Sequence, residues 1–521
     1  MKFDEVAILL ACHTFQDFPV HLTGADADGL LAAWTALWHP LLIANSRKMP
    51  TWLRVDTLPS SDVARLVVLP PCHENVAADG LSEQVTSAGG RLIRGLTDRQ
   101  EILAAARADW ATDDAVDDEL AAEFMALGYA YLQIELLTKR MRYSTRVLET
   151  AFADNLVSAA DCAIAGDAEQ TMTLLQSCYD FLSQERDHYY AVDVYLLDFA
   201  LTAPTLAGEP LQRQLGGPTP TNVILSPELL DTLSSECPAT WQALQTALAE
   251  ERLAIIGGPT SDTEASHVSL ATIDRQLQLA LAIYERRLGQ RPQVFGRRTF
   301  GLSSALPQLL LRHGFAGALH ATFDGGHFPE ATQAKSRWEG DGQFALDAIM
   351  RAPLDATQPQ TFLNLATKLS ETMDMDHIAT RGFVHWAGTV SPWFFELQRA
   401  TRYTRSLGKF VTVNEYFQET YDPGIHERCE AHKYRSPHFD QQIRTDCPTP
   451  ISQWPTYWQR HLTLQSGLNA AALLALADAT ETSYQRWQEL NKLAEQFAAA
   501  PLDDRWDTDL QSATTQLDDI T

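Results

Sequence analysis

The sequence predicts an α/β fold, in which a closed or nearly closed barrel of seven or eight parallel strands is followed by helices. Two observations carry this prediction. Short, almost continuously apolar segments recur over about the first 400 residues, and helical stretches separate them. Near-continuous apolarity is typical of parallel strands buried on both faces, whereas half-exposed strands alternate.

Eight segments have the length and composition of buried strands. They lie at residues 6–13, 65–71, 192–201, 221–226, 252–258, 293–298, 317–323 and 382–388. Residues 97–188 show helical periodicity, which predicts a helical insertion packed on the barrel. Residues 430–521 are mainly helical by the same criterion. The sequence therefore predicts a barrel domain over 1–425 and a C-terminal helical domain over 430–521.

Composition and charge exclude some classes of partner. The 521 residues carry a net charge of −27 and no long run of Lys and Arg, so nucleic acids and anionic membrane surfaces are not expected partners. The N-terminal apolar run follows Asp4 and Glu5 and is too short for a signal peptide. Seven scattered cysteines without C-x-x-C spacing favour a reducing, cytoplasmic location. The oligomeric state is not indicated.

Polar and aromatic residues follow several predicted strands, where ligands bind in parallel α/β barrels. A carbohydrate-binding site is expected to combine Asp, Glu, His and Trp residues. Carboxylates provide general acid/base catalysis, and aromatic rings stack on pyranose rings. The catalytic candidates are Glu264, Asp324 and Glu339, and the substrate-binding candidates are His13, Asp17, Asp262, Arg298, His327, Trp338, His385 and Trp386.

Several of these residues also have a purely structural explanation. Asp17 could cap a helix or pair with an arginine. Asp324 precedes two glycines and could form a tight turn. His320, within a predicted strand, is more typical of a core histidine, and Trp386 of packing. No single one of these residues is specific for a ligand-binding site. The prediction of a site therefore depends on the occurrence of several such residues at the ends of different strands.

The run 248–319 resembles the core of the glycoside hydrolase family 38 α-mannosidases. It has Gly257-Gly258 at a strand end, then Glu264-Ala265-Ser266-His267, a helix, and a strand followed by Phe300-Gly301 and Ser303. The opening segment, CHTFQD at 12–17, resembles the first metal-binding element of that family. The resemblance implies a seven-stranded barrel of the family 38 type and an activity on α-mannosides.

The sequence departs from that family where the resemblance would place a catalytic zinc. Asp17 stands at the position of the metal Asp, but Phe15 occupies that of the metal His and Leu302 that of a further His. Arg298 occupies the position of the Asp that serves as nucleophile and zinc ligand. One carboxylate cannot hold zinc, and a guanidinium cannot attack an anomeric carbon, so we expect neither zinc nor the retaining mechanism.

The sequence leaves two main functions open. One is a glycosidase that acts by inversion through two of the three candidate carboxylates. The other is an inactive carbohydrate-binding or structural relative, in which Arg298 replaces the nucleophile and metal centre. In that second case Arg297 or Arg298 binds an anionic group of a ligand, or a buried pair with Asp17 merely preserves the fold. A polysaccharide deacetylase ranks last, because no His-x3-His pair stands at a strand end.

Overall fold

The computed structural model of the protein describes residues 2–57, 59–60, 62–108, 110, 116–140, 149–260, 265–478, 480–503 and 506. Strands and helices alternate through most of this part, so the predicted α/β class is confirmed. The chain divides into two compact units. The first comprises Met1–Leu197, Leu354–His385 and Thr389–Phe410, and the second comprises Asp198–Pro353, Trp386–Gly388 and Val411–Thr521.

The strands of the described residues are short, as expected of an α/β protein. In chain order they are β1 Glu5–Leu10, β2 Thr51–Arg54, β3 Arg65–Leu69, β4 Arg91–Arg94, β5 Tyr195–Leu201, β6 Thr221–Ile224, β7 Leu253–Gly257, β8 Val294–Phe295, β9 Gly317–Leu319, β10 Lys335–Glu339, β11 Ala345–Ile349, β12 Leu354–Asp355, β13 Thr380–Trp386, β14 Lys409–Phe410 and β15 His426–Arg428.

The α-helices of the described residues are numbered in the same way. They are α1 Gly24–Ala36, α2 Pro40–Ser46, α3 Leu81–Ser87, α4 Arg99–Ala106, α5 Asp118–Arg140, α6 Glu149–Ile164, α7 Ala168–Tyr189, α8 Glu209–Gly216, α9 Pro227–Glu236, α10 Pro238–Ala249, α11 Leu270–Leu288, α12 Leu306–Arg312, α13 Pro359–Leu363, α14 Leu365–Met375, α15 Pro392–Ala400, α16 Val413–Glu419, α17 His438–Arg444, α18 Gln453–Asp478 and α19 Glu481–Ala499.

The first unit contains a parallel four-stranded sheet in the order β2-β1-β3-β4. Strands β1 and β3 are almost fully buried, whereas β2 and β4 lie at the edges and are largely half-exposed. The predicted helical insertion over 97–188 corresponds to α4 to α7. Helix α5 has the length and mean hydropathy of a membrane span, but 83% of its most apolar 18-residue window is buried inside the protein. It is therefore a core helix.

The second unit is built on one mixed sheet. Its order runs from the end of β5 through β6, β7, β8, β9, β11 and β10 to β15. All neighbours from β5 to β9 pair in parallel, β11 continues parallel to β9, and β10 is antiparallel to β11. The carboxyl ends of β5 to β8 consequently lie at the same edge, where the sequence analysis expected a ligand to bind.

Each of the eight predicted strand segments contains a strand of the structure, but the pairing differs from one continuous barrel. Strands β1 and β3 pair with β2 and β4 in a sheet of their own. Strands β2 and β4 were not predicted, because their polar, half-exposed residues do not form a continuous apolar run. The strand pairing thus gives two sheets where the sequence predicted a single ring of strands.

The C-terminal helices α18 and α19 do not form a core of their own. Tyr457, Leu468 and Phe497 belong to the same buried cluster as Leu277 of α11 and Phe295 of β8. The hydroxyl of Tyr457 also lies 2.8 Å from that of Thr272. The predicted boundary between 425 and 430 is therefore wrong for these helices, because their apolar faces complete the core of the second unit.

Candidate functional site

A pocket opens at the carboxyl ends of four neighbouring parallel strands in the second unit. Thr202 follows β5, Ser226 follows β6, Gly258 and Pro259 follow β7, and Arg297 and Arg298 follow β8. Pro204, Ile224, Leu225, Glu228, Leu229, Thr232 and Gly296 complete the lining, and the cavity volume is about 230 Å³. Its position is the one at which open α/β sheets and barrels bind small molecules.

Two glycines allow the chain to form this pocket. A Cβ at Gly296 would lie 2.5 Å from the Ile256 side chain, and one at Gly258 would lie 2.9 Å from the carbonyl oxygen of Gly296. Both distances are shorter than a carbon atom tolerates, so the backbones after β7 and β8 approach closely only because these residues lack side chains. This close approach brings Arg297 next to Gly258, with the Arg297 Cβ 3.5 Å from the position of a Gly258 Cβ.

Arg297 contributes to the wall of the pocket while remaining largely inside the protein. It is only 5% exposed, and its guanidinium donates a hydrogen bond to the Thr299 hydroxyl at 2.8 Å. The side chain folds over Gly301, where a Cβ would lie 2.5 Å from the Arg297 Cδ. Arg297 therefore shapes the loop after β8, residues 296–305, which we call the Arg-Arg loop, and Gly301 provides the space that the Arg297 side chain occupies.

Arg298 is more accessible than its neighbour. Its side chain is half-buried, its Nη1 lies 3.5 Å from the Thr202 carbonyl oxygen, and its guanidinium lies 5.9 Å from the ring centroid of Trp386. That distance is within the range of a cation–π interaction. Trp386 is 38% exposed, so it keeps part of its ring in contact with solvent. The structure thus brings together two of the predicted site residues, Arg298 and Trp386.

Helix α9 forms the side of the pocket that the sequence analysis missed. Ser226 is its N-cap and accepts a hydrogen bond from the Leu229 N–H at 3.3 Å. Glu228, in the first turn, and Thr232, one turn later, also line the cavity. The Ser-Pro-Glu sequence directly after strand β6 was a recognisable helix start, and it could have placed these residues at the strand end.

Asp324, a catalytic candidate, holds the Arg-Arg loop in place. Its carboxylate accepts a hydrogen bond from the Phe300 N–H at 2.7 Å and another from the Gly326 N–H at 3.3 Å, and it also binds the Thr322 hydroxyl. The structure therefore favours the turn explanation, in which the loop after β9 supports the loop after β8. Its carboxylate is already engaged in these three interactions.

Glu339 and Trp338 lie on β10, and neither residue lines the pocket. The Glu339 carboxylate is 3.5 Å from the His426 Nδ1. Trp338 is 0% exposed, and its ring centroid lies 4.6 Å from that of His320. The prediction that Trp338 binds substrate is wrong, because a ring enclosed in the core presents no face to a ligand.

His320 is the core histidine that one explanation predicted. Its Nε2 lies 2.8 Å from the Tyr434 hydroxyl, and burial lowers its pKa to about 3 because the charged form loses hydration. His327, a binding candidate, has an exposed side chain, and its backbone pairs with that of Arg435 through two hydrogen bonds of 2.9 Å. Neither histidine lines the pocket.

Three further candidates belong to the first unit. His13 is exposed beside a separate cavity of about 550 Å³ that includes Trp34 and Trp52. The Asp17 carboxylate accepts hydrogen bonds from the N–H and the hydroxyl of Thr14, both at 3.3 Å, so the helix-capping explanation fits. His385 is 2% exposed and packs on Phe394 with ring centroids 5.7 Å apart. Asp262 and Glu264 lie outside the described residues.

The residues at the family's zinc positions do not fit a metal. Phe15 packs in an aromatic cluster, with ring centroids 5.2 Å from Phe18 and 5.8 Å from Trp34. Leu302 is buried in the core of the second unit, and Arg298 is a cation. Within the described ranges, no group of three or more His, Cys, Asp or Glu side chains is arranged to hold a metal ion. No catalytic step is therefore derived through zinc.

The fold and this pocket define an α/β protein with a ligand-sized pocket at the carboxyl ends of parallel strands. Within that class, the family model described as "Glycosyl hydrolases family 38 N-terminal domain" matches residues 224–435. The resemblance expected from the sequence is thus confirmed over this segment, which includes β7, β8 and both arginines. A search of curated proteins found no match.

Solved structures of carbohydrate-active enzymes are also similar to the chain at low identity. An alpha-mannosidase from Enterococcus faecalis V583 has 12% identity and a TM-score of 0.40, covering 63% of this chain and 43% of that one. A 4-alpha-glucanotransferase from Thermococcus litoralis has 11% identity and a TM-score of 0.36, covering 58% and 53%. The chain thus spans about half the length of these two proteins. A GH57-type branching enzyme from Pyrococcus horikoshii has 10% identity and a TM-score of 0.32, covering 99% and 86%.

Proposed function

We propose that the protein binds a glycoside in the pocket at the ends of β5 to β8 and does not cleave it by the zinc-dependent retaining mechanism. The observation that carries this proposal is the position of Arg298. The resemblance to family 38 places it at the position of that family's nucleophile, and in the structure it lines the pocket together with Arg297. Both points support a binding site at the strand ends in which a guanidinium takes the place of the nucleophile.

The chemistry of the described lining residues supports the binding of a sugar, and Glu264, a further catalytic candidate, lies outside the described residues. Hydrolysis of a glycoside needs two carboxyl groups on either side of the bond that breaks. Glu228 is the one carboxylate among the described residues that line this pocket. Asp324 is engaged with the backbone of the Arg-Arg loop, and Glu339 lies beside His426. Thr202 and Thr232 also line the cavity, and their hydroxyls donate hydrogen bonds to the carbonyl oxygens of Ile224 and Glu228 at 2.6 and 3.3 Å. These hydroxyl oxygens can still accept a hydrogen bond from a sugar.

We infer that the architecture is that of a divergent family 38-type barrel. The parallel run from β5 to β9 supports a common origin with the seven-stranded barrel of that family. We further propose a cytoplasmic location, which the seven free cysteines of the chain support. The carbohydrate is the proposed partner, and the charge of −27 argues against nucleic acid.

Activity and binding assays on the same preparation test the proposal. Aryl glycosides, with the α-mannoside first, are incubated with the protein in zinc and in EDTA, and methyl α-mannoside and other methyl glycosides are titrated by calorimetry. We expect no zinc-dependent release of the aryl group and measurable binding of at least one glycoside. Arg298→Ala should weaken that binding, whereas Arg291→Ala, at an exposed arginine paired with Glu285, should not. Zinc-stimulated hydrolysis that EDTA abolishes would refute the proposal.

A further inference from the structure

One face of helix α18 carries large apolar side chains that are exposed to solvent. Leu462, Leu473 and Leu476 are 59%, 67% and 82% exposed. Trp458, on the same helix, is 40% exposed. With 3.6 residues per turn, these four side chains lie within about 60° of one another around the helix axis. Together with Asn469, which is exposed in the same sector, they form a row about 27 Å long that we call the α18 stripe.

The exposed face of this helix carries no charge. The structure describes every side chain from Gln453 to Ala477, and none of the exposed ones in this range is charged. Arg460 is buried, and its guanidinium donates a hydrogen bond to the Asp503 carbonyl oxygen at 3.0 Å. Burial lowers the pKa of His461, so its half-buried ring is neutral at neutral pH.

The neighbouring helix α19 shows the contrasting pattern. Its exposed residues include two acids and two bases, which are Glu481, Arg486, Glu489 and Lys492. Charged residues on the outer face of a helix are typical of a surface that stays in water. The centre of a protein–protein interface is instead depleted of charge and enriched in large apolar and aromatic side chains. The α18 stripe therefore has the composition of an interface, whereas α19 has that of a solvated surface.

The charge of the chain restricts what can cover the stripe. Two copies that each carry a net charge of −27 repel one another, so they can associate closely only over a surface without charge. The exposed face of α18 between Gln453 and Ala477 is such a surface. A helix that binds to an anionic membrane carries Lys and Arg on its polar face, and this face exposes neither over the same range.

The spacing of residues in the stripe suits an identical helix. Leu462, Asn469 and Leu476 follow one another at intervals of seven residues, the spacing that keeps side chains along the seam of paired helices. Asn469 is midway between the two leucines. In a symmetric pair, asparagine therefore meets asparagine and leucine meets leucine, whichever way the helices run.

Asn469 is suited to the centre of such a pair. Its Oδ1 accepts a hydrogen bond from the Gln465 side-chain amide at 3.1 Å, and its own NH2 group can donate to a second copy. A carboxamide contains both donors and an acceptor, so two asparagines can bond to each other. A single asparagine in an apolar seam also fixes the alignment of the two helices, because any other alignment buries it without a partner.

We propose that the α18 stripe is the contact surface of a homodimer, in which two copies of this chain pair through α18 with Asn469 meeting Asn469. Such an interface is isologous, since the same patch of both copies forms it. Pairing removes the leucines and Trp458 from water, and the uncharged face lets two acidic chains approach. The dimer does not depend on the binding of a glycoside.

Sedimentation equilibrium of the full chain, from about 1 to 100 μM, tests the inference. We expect a dimer whose association strengthens as salt is raised, because salt screens the repulsion between the acidic copies. Leu462→Glu and Leu476→Glu should each weaken association by about 100-fold or more, since each places a carboxylate in the seam. Leu311→Glu is the control, because Leu311 is 40% exposed on α12 and lies outside the stripe.

A pair of variants at Asn469 tests the alignment. Asn469→Asp and Asn469→Lys should each weaken association by about tenfold or more at low salt, because each brings two like charges together. A mixture of the two variants should dimerise again, since the charges are then opposite. The same substitutions at Gln488, exposed on α19, change the net charge equally and should leave association unaltered. Circular dichroism and melting curves establish that each variant is folded.

Four results would overturn the inference. One is a chain that stays monomeric over the whole concentration range. A second is a dimer that persists in Leu462→Glu and Leu476→Glu, because another face would then form it. A third is a monomer whose melting temperature falls in Leu462→Glu, because the stripe would then pack on a segment of its own chain. The fourth is a monomer that co-sediments with phosphatidylcholine vesicles unless Leu462→Glu is introduced, because a membrane surface would then cover the stripe.

Discussion

Replacement of Asp324 by alanine should loosen the Arg-Arg loop, and the size of the effect follows from its hydrogen bonds. The carboxylate accepts the Phe300 N–H at 2.7 Å, and Phe300 is 1% exposed. Without this acceptor a buried N–H loses a bond to a charged group, which is worth about 1.5–3 kcal/mol. The same loop contains Arg298, whose carbonyl oxygen accepts the Phe323 N–H at 3.2 Å.

Hydrogen exchange at the Phe300 amide measures this effect directly. A loss of about 1.5–3 kcal/mol corresponds to roughly 10- to 150-fold faster exchange of that amide, if local opening limits it. Asp324→Asn keeps one carbonyl oxygen and should give an intermediate rate. Glu330→Ala, at an exposed position in the same segment, is the control and should leave the rate unchanged.

The opposite result would restore the catalytic explanation. If Asp324→Ala left the Phe300 amide as protected as before, while it abolished hydrolysis or sugar binding, the carboxylate would act on the ligand and not on the loop. Exchange that is accelerated equally throughout the second unit would mean that the variant is globally unstable. A comparison of peptides from β6 and from the Arg-Arg loop distinguishes these cases.

Three other predictions concern the neighbourhood of the site. Trp338→Ala should lower the free energy of unfolding in urea by about 3–5 kcal/mol, because removal of a buried ring leaves a cavity. Trp386→Ala should lower it by less and should also weaken ligand binding. Similar losses of unfolding free energy in the two variants would contradict this prediction. Burial lowers the pKa of His320 to about 3 in the folded protein. As the pH is lowered, this histidine is therefore protonated in the unfolded chain before it is protonated in the folded one. The free energy of unfolding should consequently decrease as the pH drops below about 6.5, by up to about 1.4 kcal/mol per pH unit. In His320→Gln, the midpoint of urea unfolding should change less between pH 7 and 4.5 than it does in the unmodified protein. An equal pH dependence of the two midpoints would refute the explanation from His320. Gly301→Ala should displace the Arg297 side chain and lower the melting temperature. Gly216→Ala is the control and should leave the melting temperature unchanged, because a Cβ at Gly216 would lie in open space. Equal melting temperatures of the two variants would contradict the close packing of Arg297 on Gly301.

The sequence predicted the strands of the fold better than their pairing. All eight apolar segments contain strands, because burial on both faces requires continuous apolar residues. The edge strands β2 and β4 were missed, since their half-exposed side chains include polar residues. The separate sheet of the first unit was missed for the same reason. Likewise, helical periodicity indicated α18 and α19 but not that their apolar faces complete the core around Leu277.

Some residues of the candidate site could be predicted from the sequence, and others could not. Arg298 and Trp386 were found because both lie at the carboxyl end of a predicted strand segment. Glu228 and Thr232 were missed because they lie within a helix, and only the packing of that helix turns them toward the pocket. Trp338 was a substrate-binding candidate in the sequence, but it is enclosed in the core, because neighbouring strands and helices cover its ring and the local sequence does not show this.

The sequence by itself determined the α/β class and the resemblance to family 38, which implies an acid at the position of Arg298, because apolar runs and motifs are local properties of the chain. The tertiary structure decided which side chains meet. It placed the carboxylate of Asp324 on the backbone of Phe300, 24 positions away, and brought α9 to the two arginines. Periodicity reports whether a side chain is buried, but not its partner, since contacts between distant residues depend on how the strands pair and the helices pack.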